Sequence, residues 1–435
     1  MASWLSRWFG GSSNAASPGA EAAPLPAAPR SAPPAATTAP PPYLPVGRQP
    51  LIDSQGRLAG FEFPLPDVMA RRLAQGADAV VLGAHAQALF AAMRPTTAAG
   101  RVALASLPLA LLARPELAAH VPDHAWLVTQ PAAPAGDAAL QALRARGVRF
   151  GASQVPQRGA DFVRVDAAGL DPRAAAVAIA ACRAAAPQAR VVATGLLDVD
   201  GVEAALEAGA DLAAGHHAQM RTVAAGVALP PSMARVCGLL NQVLRDADLA
   251  TIAAELRADV ALSYELLRHA NSPLLGLQRK VEAADQAVLL LGRDNLYRWL
   301  CARLLGAADA RPVARALQEI GLARAALFEQ LAPAVGAAPS ALYTLGLLSL
   351  LDVMVPMPMA AALAPLNLAP ETAQALIERR GPWAGLLELA ECLERGDLAG
   401  AAPLAAPLGG LPAVTAAADR AWAFANAAAA MLWAH

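Results

Sequence analysis

Short apolar runs of strand length recur across the first half of the chain, at Arg101–Ser106, Ala125–Thr129, Val148–Ala152, Asp161–Val165, Arg190–Thr194 and Asp211–Ala214. Alanine-rich stretches with helical spacing separate several of them, at Val81–Met93, Arg173–Ala186 and Val202–Gly209. Strands alternating with helices predict parallel pairing, because a parallel neighbour is reached only through a long crossover. The number of such units favours a closed α/β barrel over an open sheet. After Pro230-Pro231 the pattern changes. Met233, Val236, Cys237, Leu240, Val243 and Leu244 fall on one face of a helix, and Leu296, Trp299, Leu300 and Leu304 repeat that spacing. Pro370 marks a helix start and Gly381 a helix end. The expected organisation is therefore an Ala/Pro-rich tether over 1–45, an α/β barrel over 46–229 and an all-helical domain over 230–435. The double proline supplies the boundary, since proline disfavours a helix on its N-terminal side.

Residues 10–45 are mostly Ala, Pro, Ser and Thr and lack the apolar surface needed to offset ordering entropy. The aromatic tip ahead of them, with Trp4, Leu5, Trp8 and Phe9, lacks the continuous apolar core of a signal peptide. The stretch from Leu342 to Ala364 has the hydrophobicity of a membrane span. It also contains Asp352, Pro356 and Pro358, so a buried helix followed by a loop is expected, in a soluble, cytoplasmic protein without a transmembrane segment.

The 435 residues carry 34 Lys+Arg and 35 Asp+Glu, a net charge of -1. With 56% hydrophobic and 16% charged residues the chain is too apolar to be largely disordered. The charge balance argues against a dedicated nucleic-acid binder. The lone lysine is Lys280. Basic pairs are confined to Arg71-Arg72, Arg279-Lys280 and Arg379-Arg380, which read as solvated helix edges. Cys182, Cys237, Cys301 and Cys392 are widely spaced in apolar segments, the setting of buried, reduced thiols. His120 and His124 are separated by Pro122, which argues against one helix face presenting both to zinc, and the adjacent His216 and His217 point to opposite faces if their strand continues.

The second half contains Leu266-Leu267-Arg268-His269-Ala270-Asn271-Ser272-Pro273, then Gln286-Ala287 leading to Leu290-Leu291-Gly292, then Leu296-Tyr297-Arg298-Trp299-Leu300. In this order the motifs resemble the HDOD domain, a helical relative of the HD phosphohydrolases. The stretch Gly346-Leu347-Leu348-Ser349-Leu350-Leu351-Asp352 resembles it too, as does Ala375-Leu376 followed by Gly381. The first half then resembles a worn EAL domain, the fold of cyclic diguanylate phosphodiesterases. Arg48-Gln49-Pro50, Asp53, Gly56 and Gly60-Phe61-Glu62 are similar to its opening. Phe162-Val163-Arg164-Val165-Asp166 resembles its K-x-D strand, Val191 to Gly195 its A-E-G strand, and Gly209-Ala210-Asp211 through Gly215 its Q-G strand. The pairing resembles the EAL-plus-HDOD signalling proteins of bacteria.

Hydrolysis by the EAL route needs two divalent cations caged by several carboxylates and an asparagine, so that a bridging water becomes nucleophilic. Position by position, the resemblance implies that most of this set is gone. Glu62 stands for the motif glutamate. Ala103, Leu104 and Ala105 replace the asparagine region, Gln130 a ligand glutamate, and Thr194 the glutamate of A-E-G. The stretch Val148 to Gln154 lacks the acidic loop. Arg164 keeps a positive charge at the lysine position and Asp166 remains. Two acidic survivors are too few for a two-metal site, and either is expected to cap backbone groups or pair with an arginine. The helical half has no His-Asp dipeptide: Ser349-Leu350 takes its place, Asp352 is expected to act locally, and His269 reads as a structural hydrogen-bonding residue. Arg268, Asn271 and Ser272 complete the helical signature.

The expectation is a catalytically inactive regulatory protein that requires no metal or cofactor. It would act by binding other signalling proteins in cyclic-diguanylate-linked regulation. Two alternatives stand beside it: a receptor that binds cyclic diguanylate weakly without cleaving it, through Arg164, and a residual metal-dependent phosphodiesterase.

Overall fold

A computed structural model describes residues 47–64, 79–130, 138–155, 159–215, 229–272, 280–307, 311–355 and 357–432. The tether with its Trp4 and Trp8 tip, Arg71-Arg72, His216-His217, Pro273, Arg279, Pro356 and His435 lie outside these residues.

Eight strands form a closed barrel in sequence order: β1 (Gln49–Asp53), β2 (Leu58–Phe63), β3 (Val102–Pro108), β4 (Trp126–Gln130), β5 (Arg149–Ser153), β6 (Phe162–Asp166), β7 (Arg190–Leu196) and β8 (Leu212–Gly215). The chain from β2 to β8 pairs in parallel, and β1 runs antiparallel to both its neighbours. The six expected strands are present to within two residues of the predicted ends.

The β1–β2 hairpin escapes a search for apolar runs, because Pro50 and Gly60 interrupt it. Its turn is set by Asp53, whose Oδ1 accepts the amides of Gln55 and Arg57 at 2.9 Å while its other oxygen pairs with Arg57. The expected crossover helices appear as Ala79–Ala98, Pro172–Ala185 and Val199–Glu207. The latter two are capped by Asp171 and Asp198, each of which takes a backbone amide with its side chain. A further helix, Ala138–Ala145, was not expected.

Alternate residues fill the barrel. Leu51, Leu104, Trp126, Val128, Phe162, Val192, Leu212 and Ala214 form one buried cluster, and by the two-residue period Glu62, Ser106, Arg164, Asp166 and Thr194 continue the same inward faces toward the strand C-termini. In α/β barrels that end is where functional groups converge.

The described residues after Pro230 are helical throughout. Met233, Val236, Cys237, Leu240 and Val243 are buried in the Pro231–Leu244 helix, whereas Leu244, expected on that face, is 40% exposed. The apolar stretch after Leu342 is interrupted by more than one loop. A helix over Pro339–Leu348 gives way at Ser349-Leu350 to a single turn, Leu351–Met354, and helix returns at Met359–Leu363. The helix from Pro370 ends at Glu378, ahead of Gly381, and its left-handed cap is Arg379. Among the described residues no single helix is long and apolar enough to cross a membrane.

The chain divides into two compact units. The larger comprises 44–246 and 297–435; the described residues of the smaller lie within 247–296. In the larger, barrel and helices share polar and aromatic contacts. The Gly56 carbonyl accepts the Ala316 amide at 3.0 Å, Arg101 meets Glu319 at 2.7 Å, and Phe61 packs edge-on against Trp422. Arg311 reaches back to Asp200 and Glu203, and Arg48 to Asp419.

In the smaller unit Asn271 closes the Val260–Ala270 helix. Its side-chain amide donates to the carbonyls of Leu267 and Val281 at 2.8 Å, and its oxygen accepts the Val281 amide at 2.7 Å. This clamp explains an asparagine at the end of the Arg268-His269-Ala270-Asn271 motif.

Candidate functional site

The mouth of the barrel is organised around one guanidinium. Arg164, on β6, places Nη2 3.2 Å from Glu62 Oε1 on β2 and 3.9 Å from Asp166 Oδ2. Its Nε donates to Thr194 Oγ1 on β7 at 3.1 Å and its Nη1 to Ser106 Oγ on β3 at 3.4 Å. Four of the expected site residues, Glu62, Arg164, Asp166 and Thr194, therefore meet at one point. Gln130 ends β4 opposite Pro108, and its side chain lies outside what is described.

Ser106 was missed, although a signal existed. Glu62 pairs in register with Leu104, and two residues further along β3 the period returns to the same face.

Burial raises the Glu62 pKa, and Asp166 adds to the rise, while the positive charge of Arg164 opposes both. Glu62 is 5% exposed. The guanidinium is what favours its charged form, since an isolated buried carboxylate would be costly. Asp166 is more open and turns its Oδ1 to the Ala168 amide at 3.1 Å. Gly195, next to Thr194 with φ of 74°, is required beside it: a Cβ there would sit 2.8 Å from Asp166 Oδ1.

These residues do not fit a pair of divalent cations. Two of the inward groups are neutral hydroxyls and the most buried carboxylate is already engaged. The guanidinium puts fixed positive charge beside both acids, where it would repel a dication. Among the described residues, no three His, Cys, Asp or Glu side chains are placed to hold a metal ion.

A second arginine, Arg324, is hydrogen-bonded to Ser349, the residue that the resemblance puts at the HD position. It is 2% exposed on the Ala314–Leu331 helix and forms a bidentate pair with Glu394, Nε to Oε1 at 2.7 Å and Nη2 to Oε2 at 2.6 Å. Its Nη1 donates to Ser349 Oγ at 3.0 Å, and that hydroxyl in turn donates to the Gly346 carbonyl at 2.6 Å. The negative charges of Glu394, Glu391 and Asp352 all favour the charged guanidinium, against the cost of burial.

Ser349 and Asp352 thus belong to one arginine centre, whose Arg324 and Glu394 the sequence did not single out. No spacing rule joins residues 70 apart. Arg268 and Ser272 belong with Asn271 to the smaller unit, and this centre belongs to the larger.

His269 is held neutral by burial, its pKa lowered to about 4. The four cysteines are free and buried; burial raises Cys237 to about 11 and Cys301 to about 12, so neither is poised as a nucleophile.

Residues 227–367 match the family model of the HDOD domain, and the chain carries that domain. Over 165 residues it is 28% identical to the Bacillus subtilis (strain 168) protein YuxH, covering 37% of this chain and 40% of YuxH. Over 157 residues it is 27% identical to the Vibrio cholerae cyclic di-GMP phosphodiesterase CdgJ, covering 36% of each. The chain spans about two fifths of the length of these curated relatives.

Among solved structures it is similar to an EAL domain protein of Listeria monocytogenes EGD-e (15% identity, TM-score 0.32, 40% of this chain and 85% of that one). It is also similar to the Xanthomonas citri FimX EAL domain in complex with c-diGMP (16% identity, TM-score 0.31, 39% and 84%).

Proposed function

We propose that this protein is a catalytically silent regulator in cyclic-diguanylate-linked signalling that works by binding other proteins. The observation that carries the reading is Arg164, whose guanidinium lies between the two surviving acids of the barrel mouth and spends its hydrogen bonds on Glu62, Thr194 and Ser106. A hydrolytic water needs a Lewis acid or a base beside it. Here Glu62 is tied into an ion pair, Thr194 and Ser106 accept from the same cation, and Asp166 has that cation 3.9 Å away, so the cluster holds no carboxylate clear of the guanidinium to serve as base or metal ligand. The helical centre follows the same logic: Ser349, at the position the resemblance gives to the HD pair, accepts from Arg324, which is itself paired with Glu394.

The smaller unit supports the interaction half of the reading. Val260 and Tyr264, one helical turn apart, are 82% and 67% exposed, and Leu289 and Leu290 are also exposed. Exposed apolar side chains, two of them one turn apart on a helix, favour association with another protein. The test is turnover of cyclic diguanylate by the full chain with magnesium or manganese. No linear product above the buffer blank is expected; product formation that Glu62→Ala abolishes would contradict the proposal.

The receptor alternative draws on the partial exposure of Arg164, a cation open enough to meet a phosphate. Calorimetric titration with the dinucleotide separates the two: the proposal expects no micromolar binding, and such binding, lost in Arg164→Met, would assign the barrel to a receptor. For the partner, capture by the full chain followed by reconstitution from purified components is expected to be weakened by Tyr264→Ala.

A further inference from the structure

At the opposite end of the barrel, where β3 to β7 begin, a cavity of about 640 Å³ opens to solvent. Its size is that of small-molecule sites, roughly 300–1,000 Å³. Four arginines line it: Arg101, Arg144, Arg149 and Arg190. Two are spoken for. Arg101 is held by Glu319 at 2.7 Å and Asn426 at 2.6 Å, and Arg144 by Asp161 at 2.9 Å. Asp161 is the single acid of the lining, and its Oδ2 also accepts the Phe150 amide at 2.8 Å, so it is committed to the wall.

Arg149 and Arg190 are different. They are the first residues of β5 and β7, both are exposed, and among the described residues no carboxylate lies within ion-pair distance of either. Both guanidiniums lie over the same indole, Trp126, at 5.2 and 5.6 Å from its ring centroid. Trp126 is 5% exposed and stacks at 4.9 Å on Phe162 in the barrel interior.

Two cations on one ring repel each other, and the quadrupole of a single indole offsets that only in part, by about 0.5–2 kcal/mol per cation–π contact. Covering the indole would need no charge at all. What two planar forks over an apolar floor supply is a pair of bidentate donor sets, matched to phosphoryl oxygens and shielded from water on one side. Positive charge also collects oxyanions from solution.

We propose that this cavity binds a diphosphate group, one phosphoryl unit on each of Arg149 and Arg190, carried as inorganic pyrophosphate or as the diphosphate of a nucleotide. The site is distinct from the barrel mouth, uses none of its residues and does not depend on the function proposed above.

The experiment is calorimetric titration of the full chain with inorganic pyrophosphate, a nucleoside diphosphate and inorganic phosphate. Pyrophosphate is expected to bind at least tenfold more tightly than phosphate. Arg149→Ala and Arg190→Ala are each expected to weaken it by tenfold or more, Arg149→Lys by less than Arg149→Ala, and Arg173→Ala, at an exposed arginine of the Pro172–Ala185 helix, not at all. Tighter binding of the nucleoside diphosphate than of pyrophosphate identifies a nucleotide as the source, and equal binding identifies the free diphosphate. Circular dichroism of each variant separates lost binding from lost folding.

The proposal is overturned if phosphate binds as well as pyrophosphate, if no binding occurs at millimolar pyrophosphate, or if both alanine variants, folded, bind like the wild type.

Discussion

The two arginine centres solve one problem in different surroundings. Arg324 is almost fully enclosed and meets its carboxylate in the bidentate geometry that best repays desolvation, with Ser349 taking the remaining direction. Arg164 is about one fifth exposed and divides its donors among a buried acid, a more open acid and two hydroxyls, none in bidentate geometry. The first is a structural rivet. The second is a charge plug, a cation fixed among the remains of an acidic cluster and partly bathed by solvent. Neighbouring charge of the right sign is common to both; what differs is how much each protein segment depends on it.

The comparison breaks most readily at the rivet. Arg324→Ala leaves Glu394 nearly buried with no guanidinium, and we expect a loss of about 3–5 kcal/mol, measured as the shift of the urea midpoint. Replacing Arg324 and Glu394 together by Met and Leu is expected to recover most of that loss, because the uncompensated charge is then gone.

Next in size is Gly346→Ala, on the face of the Pro339–Leu348 helix that crosses Arg324. An added Cβ would lie 2.5 Å from the Ala325 nitrogen and the Arg324 carbonyl carbon, so the helices must part, at a cost of about 2–3 kcal/mol in the same measurement.

The plug is expected to give less. Arg164→Met should cost about 1–3 kcal/mol at pH 7, and the cost should depend on pH. Glu62 has its pKa raised by burial above the ordinary 4.5, so its contribution to stability is full below that value and drains as the pH rises through the raised one. Arg164 is the influence that holds the pKa down. Removing it is expected to steepen the fall in stability between pH 4.5 and neutrality, and equal losses at both pH values would contradict the assignment. Smallest of all, Arg379→Ala removes a surface pair with Glu391 and is expected to stay within about 0.5 kcal/mol in thermal melts.

Much of the architecture is legible in the sequence because it is local. Six strands announce themselves as apolar runs, and the helical half as a change of period at Pro230-Pro231. The β1–β2 hairpin is not legible this way, since its alternation is broken by Pro50 and Gly60 and its stability comes from closing the barrel against β8.

At the barrel mouth the residue types that would have to hold metal were readable one at a time, and the pairing of Glu62 with an arginine was an anticipated outcome. Which arginine, and that Ser106 and Thr194 would share it, depends on register across four strands. Arg324 and Glu394 carry no local mark at all. The basal arginines escape for a related reason: Arg101, Arg144, Arg149 and Arg190 have no basic residue directly adjacent in sequence, so a reading of basic pairs misses them, the spaced Arg144-Ala145-Arg146-Gly147-Val148-Arg149 included. The signal available was positional, an arginine opening or immediately preceding each of three strand runs, at 101, 149 and 190.

The most direct test of the central claim is a titration of the full chain with manganese, followed by electron paramagnetic resonance. With Arg164 seated between Glu62 and Asp166, the barrel mouth is expected to take up no manganese at micromolar concentrations. Two tightly bound ions per chain, both lost in Glu62→Ala, would contradict it.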